Sequence, residues 1–182
     1  MKSIITPTIL GGDTMNTKRI ALSGVLAALI FVATYLIRIP IPATEGYINL
    51  GDAAILMCSF VLGPFAAIPA AIGSGLSDLL AGYAHYIIPT VMIKGTMGLI
   101  AGYILSRKST LPIRLVSFIT AEIIMVGGYF AYETLIYGFA AAAAGVPFNA
   151  IQGAAGITIA TALSFVSFFK KRDNMLLEAN NR

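Results

Sequence analysis

The chain has 182 residues, of which 58% are hydrophobic and 11% charged, with a formal charge of +4 and a mean hydropathy of +0.86. A soluble globular domain carries about 25% charged residues, and a chain this short has no interior that would hide so much apolar surface from water. A soluble domain is excluded, and the bilayer is the solvent.

Residues 1–18 read as an N-terminal extension without a signal-peptide cleavage site, and Met15 offers an alternative start. The first apolar span covers 19–37, and "RIPIPATEGYIN" then stops it, because prolines so spaced hold the backbone extended. The second span starts near residue 50 and ends at "LGP", residues 62–64, a glycine-then-proline helix stop. It holds Cys58, the chain's one cysteine, so a disulfide framework is excluded. The third span covers 65–80 and ends in the turn "AGYAHYIIP", and the fourth covers 90–105 and ends in the basic loop "SRKSTLPIR". The fifth runs over 115–139 and the sixth over 148–169, closed by "KKRD" and a tail of 173–182.

The expected fold is therefore an all-α membrane protein, a six-transmembrane-helix bundle filling one domain over 19–172. Ten Lys/Arg fall on the side of the termini: Lys2, Lys18, Arg19, Arg107, Lys108, Arg114, Lys170, Lys171, Arg172 and Arg182. The other side has Arg38 alone, and Lys94 lies inside a span. That asymmetry predicts cytoplasmic termini in a cell-membrane protein, and speaks against a nucleic-acid partner. The outer connections are then 38–49, 81–88 and 140–147, which gather Glu45, Tyr47, Asn49, Tyr83, His85 and Tyr86 on one face.

The stretch "GSGLSDLLAGYAHYIIPTVMIKG" puts Asp78 and Lys94 about equally far from the turn at His85 and Tyr86. At 1.5 Å per residue both lie roughly 10–12 Å below that turn on neighbouring helices, which predicts an Asp78–Lys94 pair. A charge facing lipid costs at least about 2.5–3.5 kcal/mol, so both face the bundle interior or a polar cavity. The pair either locks two helices together or forms part of a ligand site. His85 is either an exposed loop histidine or a substrate contact. In the fifth span Tyr129 and Glu133 are four apart and share a face in its outer half, whereas Glu122 lies deeper and reads as a structural partner. Asn149 and Gln152, at i and i+3 near the outer start of the sixth span, face the same cavity. Asp52, with Asn49, starts the second span as an N-cap or a ligand contact. These groups make a tyrosine-rich polar pocket suited to a small, flat, hydrogen-bonding molecule. No metal or cofactor is expected in this chain.

Two further features bear on partners. Ser23 with Ala27, and Gly24 with Ala28, repeat small residues at four-residue spacing on the first span, as in helix–helix association within membranes. No G-x-x-x-x-G-K-[ST] phosphate loop occurs, so an ATPase site is not expected here and any uphill transport needs a partner.

Within residues 46–104 the motifs G-Y-I-N-L-G-D, L-G-P, G-x-x-x-S-D-L-x-x-G-Y and I-K-G follow in order. This stretch resembles the substrate-binding S components of energy-coupling factor (ECF) vitamin transporters, of the riboflavin type, a family that includes pyridoxine and hydroxymethylpyrimidine members. The resemblance implies a six-helix, non-enzymatic protein that captures a vitamin from outside. It implies partnership with a membrane T component and two ATP-using ABC ATPases, and delivery by toppling in the membrane. Ser23, Gly24, Ala27 and Ala28 match the family's docking positions, without a strict Ala-x-x-x-Ala, and the 38–49 loop matches its lid. Asn49, Asp78, His85, Tyr86, Lys94, Tyr129, Glu133, Asn149 and Gln152 are the expected substrate contacts. With no tryptophan in the chain, pyridoxine or hydroxymethylpyrimidine is favoured and riboflavin is the alternative. The rival classes are a structural membrane subunit without ligand, and an intramembrane hydrolase built on Ser74, Asp78 and His85.

Overall fold

A computed structural model describes residues 17–166. The elements are α1 (Thr17–Leu36), a two-strand hairpin of β1 (Ile39–Pro40) and β2 (Tyr47–Ile48), and then α2 (Gly51–Leu62), α3 (Ala67–Ala81), α4 (Ile87–Arg107), α5 (Leu111–Tyr137) and α6 (Phe139–Ser164). Short 3-10 turns at Gly63–Ala66 and Ala84–Tyr86 join α2 to α3 and α3 to α4. Among the described residues, five segments are long and apolar enough to cross a membrane, with α2, its turn and α3 together forming one of 31 residues. The expected all-helical architecture is present, with a small antiparallel hairpin added where the prolines forbid helix.

The helices alternate in direction between two ends. One end carries the hairpin, the 84–86 turn and Gly138; the other carries the 63–66 turn and the basic residues Arg19, Arg107 and Arg114. Helix α4 packs against α2, α3 and α5, and α2 also meets α1 and α6. Apart from Asp52 and Ser59, helix α2 is apolar on every side and almost wholly buried, as expected of a central helix. Its Ile55, Leu56, Cys58 and Phe60 meet Met97, Ala101 and Leu105 of α4 and Phe118, Ala121 and Met125 of α5 in one core.

Two glycines set the close approaches. Gly63 sits at φ 61, in the left-handed region that ends α2. A Cβ on Gly102 would overlap the Gly63 carbonyl, so α4 lies directly against that turn. At Gly138, φ 86 turns the chain from α5 to α6 in a single residue.

The turn at Gly138 corrects one expectation. Residues 140–147 are not a loop but the first turns of α6, with Pro147 inside the helix. The alanine run has the highest helix propensity of any sequence, and Pro147 removes one backbone bond without ending the helix. Consequently Asn149 and Gln152 lie about 15–20 Å below the start of α6, far from its outer end. Residues 1–16 and the Lys170-Lys171-Arg172 cluster lie outside the described residues.

Candidate functional site

A cavity, about 420 Å³ when the part open to solvent is counted, lies beneath the hairpin. Thr34 of α1 and Ile41, Gly46, Tyr47 and Asn49 of the hairpin segment form its upper wall; Ser74 and Asp78 come from α3. Tyr86, Thr90 and Lys94 line it from α4 and the turn before it, Tyr129 and Glu133 from α5, and Asn149 and Gln152 from α6. Eight of the nine expected contacts thus share one cavity; His85 does not.

The floor is a buried charge network. Lys94 donates to Asp52 Oδ1 in an ion pair that is almost completely sequestered from solvent. Gln152 Nε2 donates to Asp52 Oδ2 at 2.6 Å, and its Oε1 accepts from the Asn49 backbone N–H at 2.7 Å. Asn49 Oδ1 in turn accepts from the Gly51 N–H at 2.8 Å. Three side chains on three helices are therefore joined in a single chain of bonds to the backbone of Asn49.

This network corrects the expected Asp78–Lys94 pair. Asp78 is at the right depth, but its Oδ1 accepts from the Tyr47 hydroxyl of β2 at 2.6 Å, while Lys94 turns to α2. Asp52 does not cap its helix, because the α2 N-cap has no side-chain bond and the carboxylate is committed to Lys94 and Gln152. Depth along two helices cannot reveal a third helix carrying a better partner. Glu122, expected as a structural partner, is buried below the cavity lining. Its neighbouring charges are Asp52 and Lys94, yet neither carboxylate oxygen has a hydrogen-bond partner among the described residues. It sits in a notch of α6 where a Cβ on Gly153 or Gly156 would press on it.

Tyrosines roof the cavity. Tyr86 donates to the Thr44 carbonyl at 2.6 Å and to Glu133 Oε1 at 3.1 Å, which fastens the hairpin to α5. Tyr129 shares a 2.9 Å bond with Thr90, and the Lys94 ammonium lies 5.4 Å from its ring centroid. Tyr47 and Tyr83 rings stand 4.8 Å apart. Burial first, and then the Asp78 carboxylate, push the Tyr47 phenol well up, so it remains a donor. His85 is exposed, bonded to the Tyr137 hydroxyl at 2.9 Å, and its carbonyl accepts from Tyr132 at 2.8 Å. It braces the turn from outside the cavity, remote from the buried Ser74 that a hydrolase would need beside it.

The sequence reading missed Thr34, Ile41, Gly46, Tyr47, Ser74 and Thr90 as lining residues. The motif G-Y-I-N-L-G-D held the signal for Gly46 and Tyr47, since it also contains Asn49 and Asp52. Thr34 carried none, being one hydroxyl in an apolar helix.

On α1 the small residues divide. The Ala27 carbonyl lies against Gly73 of α3, whereas Gly24 and Ala28 are exposed and a Cβ on Gly24 would meet nothing within 4 Å.

Comparison with known proteins agrees with this architecture. The family model "ECF-type riboflavin transporter, S component" matches residues 14–167. A thiamine precursor transporter, HmpT, of Lactococcus lactis subsp. cremoris is 36% identical over 154 residues, 84% of this chain and 89% of that protein. An uncharacterised protein of Pyrococcus woesei is 34% identical over 148 residues, 81% of this chain and 98% of its own length. The chain belongs to the S-component family of ECF-type transporters and is a multi-pass protein of the cell membrane.

Proposed function

We propose that this S component captures a thiamine precursor of the hydroxymethylpyrimidine type in the cavity beneath the hairpin. The observation that carries the reading is the cavity itself. It is placed at one end of an apolar bundle, and its roof is a separate segment held by two tyrosine hydroxyls to α3 and α5. A structural subunit without a ligand has no use for eight buried or half-buried polar contacts around a common space. The relative named as a thiamine precursor transporter puts hydroxymethylpyrimidine ahead of pyridoxine, with riboflavin behind both.

In this reading Asn49, Asp78, Tyr86, Lys94, Tyr129, Glu133, Asn149 and Gln152 contact the ligand, the tyrosines stack on its ring, and the 38–49 hairpin is the lid. The lid end faces outside and the basic end faces the cytoplasm, with the helices crossing six times and α2–α3 making two of those crossings. Energy comes from a T component and two ABC ATPases. The exposed Gly24 and Ala28 of α1 are the docking surface, while Ser23 and Ala27 turn towards the bundle. Toppling on that module carries the ligand inward.

The test is ligand binding by the detergent-purified chain without ATP or partners, using hydroxymethylpyrimidine, pyridoxine, riboflavin, thiamine and folate. Tight binding of the pyrimidine alone supports the reading. Tight binding of riboflavin in its place refutes the substrate, and silence across the panel from a folded sample refutes capture of these vitamins.

A further inference from the structure

Three cavity-lining side chains carry ionisable charge groups of opposite sign: Lys94 of α4 against Asp78 of α3 and Glu133 of α5. All three are at least nine-tenths buried. The Lys94 ammonium is already matched by Asp52, which stands behind it and outside the lining. The charged groups lining the cavity outside that ion pair are therefore the two carboxylates, Asp78 still within the field of the lysine.

Each carboxylate is half used. Asp78 Oδ1 accepts from Tyr47 and Glu133 Oε1 from Tyr86, so each holds the lid side with one oxygen. Asp78 Oδ2 and Glu133 Oε2 have no hydrogen-bond partner among the described residues. The Thr90 hydroxyl beside Asp78 shares a bond with Tyr129 in which either can donate, and the Thr44 hydroxyl beside Glu133 completes no bond among the described residues. Helices α3 and α5 pack on α4 rather than on each other, so the two open acceptors belong to different walls. A buried acceptor left unmatched is costly, more so when charged. A ligand that donates to both oxygens relieves that cost, whereas an anion adds repulsion from two carboxylates.

We propose that Asp78 and Glu133 form a two-point acceptor, which selects a flat ligand carrying two hydrogen-bond donors and rejects the same ligand as its phosphate ester. The inference rests on the capture reading above and adds to it which chemical groups are read. An exocyclic amine and a hydroxymethyl group on a pyrimidine supply two such donors. A phosphate on the hydroxymethyl arm would remove one donor and bring negative charge.

The experiment is calorimetric binding to the purified chain of three probes: hydroxymethylpyrimidine with its amine, the analogue lacking the amine, and the phosphate ester. Losing one donor to a charged acceptor is expected to weaken binding about 10- to 100-fold, and the ester is expected to bind at least about 100-fold more weakly than the parent. In D78N and E133Q, which keep side-chain shape, the amine preference is expected to collapse in one variant. The ester is expected to gain on the parent by about tenfold or more in both.

The three-probe series on the unaltered chain stands even if a variant fails to fold. Ester or amine-free analogue binding within about threefold of the parent overturns the two-point acceptor while leaving capture intact. Unchanged discrimination in two folded variants does the same. Failure of the unaltered chain to bind the parent or any vitamin overturns the capture reading, and the acceptor with it.

Discussion

Replacing Lys94 by methionine keeps the length of the side chain and removes its charge, which leaves Asp52 buried without its ion-pair partner. Both groups are almost fully sequestered, the situation in which breaking a pair costs about 3–5 kcal/mol. Asp52 retains the Gln152 amide on its second oxygen, so the lower value, about 3 kcal/mol, is expected. For a chain of this size that corresponds to a fall of about 6–12 °C in the unfolding midpoint. The assay is thermal unfolding in detergent of Lys94→Met, Asp52→Leu and the double variant. Replacing a buried pair by apolar residues is often neutral or stabilising, so the double variant is expected to recover at least half of the single loss. A double variant as unstable as the sum of the singles would refute the pairing. As a control, Asp78→Asn combined with Lys94→Met is expected to couple much more weakly than Asp52→Leu does, since Asp78 bonds Tyr47 and meets the lysine only through its field. Strong coupling there would favour the Asp78–Lys94 pair instead.

Other perturbations separate the lid, the packing and the docking surface. Tyr47→Phe removes the lid's bond to Asp78, and is expected to lower stability by about 1 kcal/mol and ligand affinity about tenfold by calorimetry. Because the folded-state phenol is raised, its contribution is present below the ordinary tyrosine range near 10, so the stability difference should stay constant from about pH 6 to about pH 9. Gly102→Ala forces a Cβ into the Gly63 carbonyl and is expected to cost at least about 1–3 kcal/mol, read as a lower midpoint or loss of the monodisperse peak on size exclusion. Gly24→Leu enters open space; ligand binding should be unchanged while co-purification with the T component and ATPases is lost.

Much of the fold was legible because its signals are local. The stops at Pro40 and Pro42, at Gly63-Pro64 and at the basic loop each rest on backbone chemistry within a few residues. The missed boundary, 140–147, is informative: an alanine-rich stretch ahead of a proline reads as a loop by composition and as a helix by propensity. Helix won because α6 continues through Pro147, with neighbouring helices around it. In the site, burial was predictable and partnership was not. That Lys94 cannot face lipid follows from one residue and its solvent. Which of several acids it meets depends on how α2 is packed between α4 and α6, and no spacing within 73–95 contains that information. Thr34 was invisible for the same reason, and Ser74 drew notice only as part of a hydrolase reading, since each is a single hydroxyl whose place in the cavity comes from the elements opposite.

The arrangement of partners explains why a chain with so few charges places them deep. Lys94 and Asp52 neutralise each other and connect through Gln152 to the backbone of Asn49, so the floor of the cavity and the foot of the lid segment are one bonded structure. Asp78 and Glu133 instead reach up to Tyr47 and Tyr86, which hold the lid at its other side. Opening the lid is expected to break the phenol contacts first, because each rests on one hydroxyl, whereas Asn49 is anchored through a buried amide to an ion pair. The hinge is thus expected at Asn49 and Leu50, beside the start of α2, with the Ile41–Gly46 turn as the moving edge. Hydrogen exchange tests this directly: the backbone amide of Asn49 should be protected far more strongly than that of Thr44, whose own backbone bond to Ile41 is 3.3 Å long. Equal protection of both would mean that the lid moves as a rigid whole or not at all.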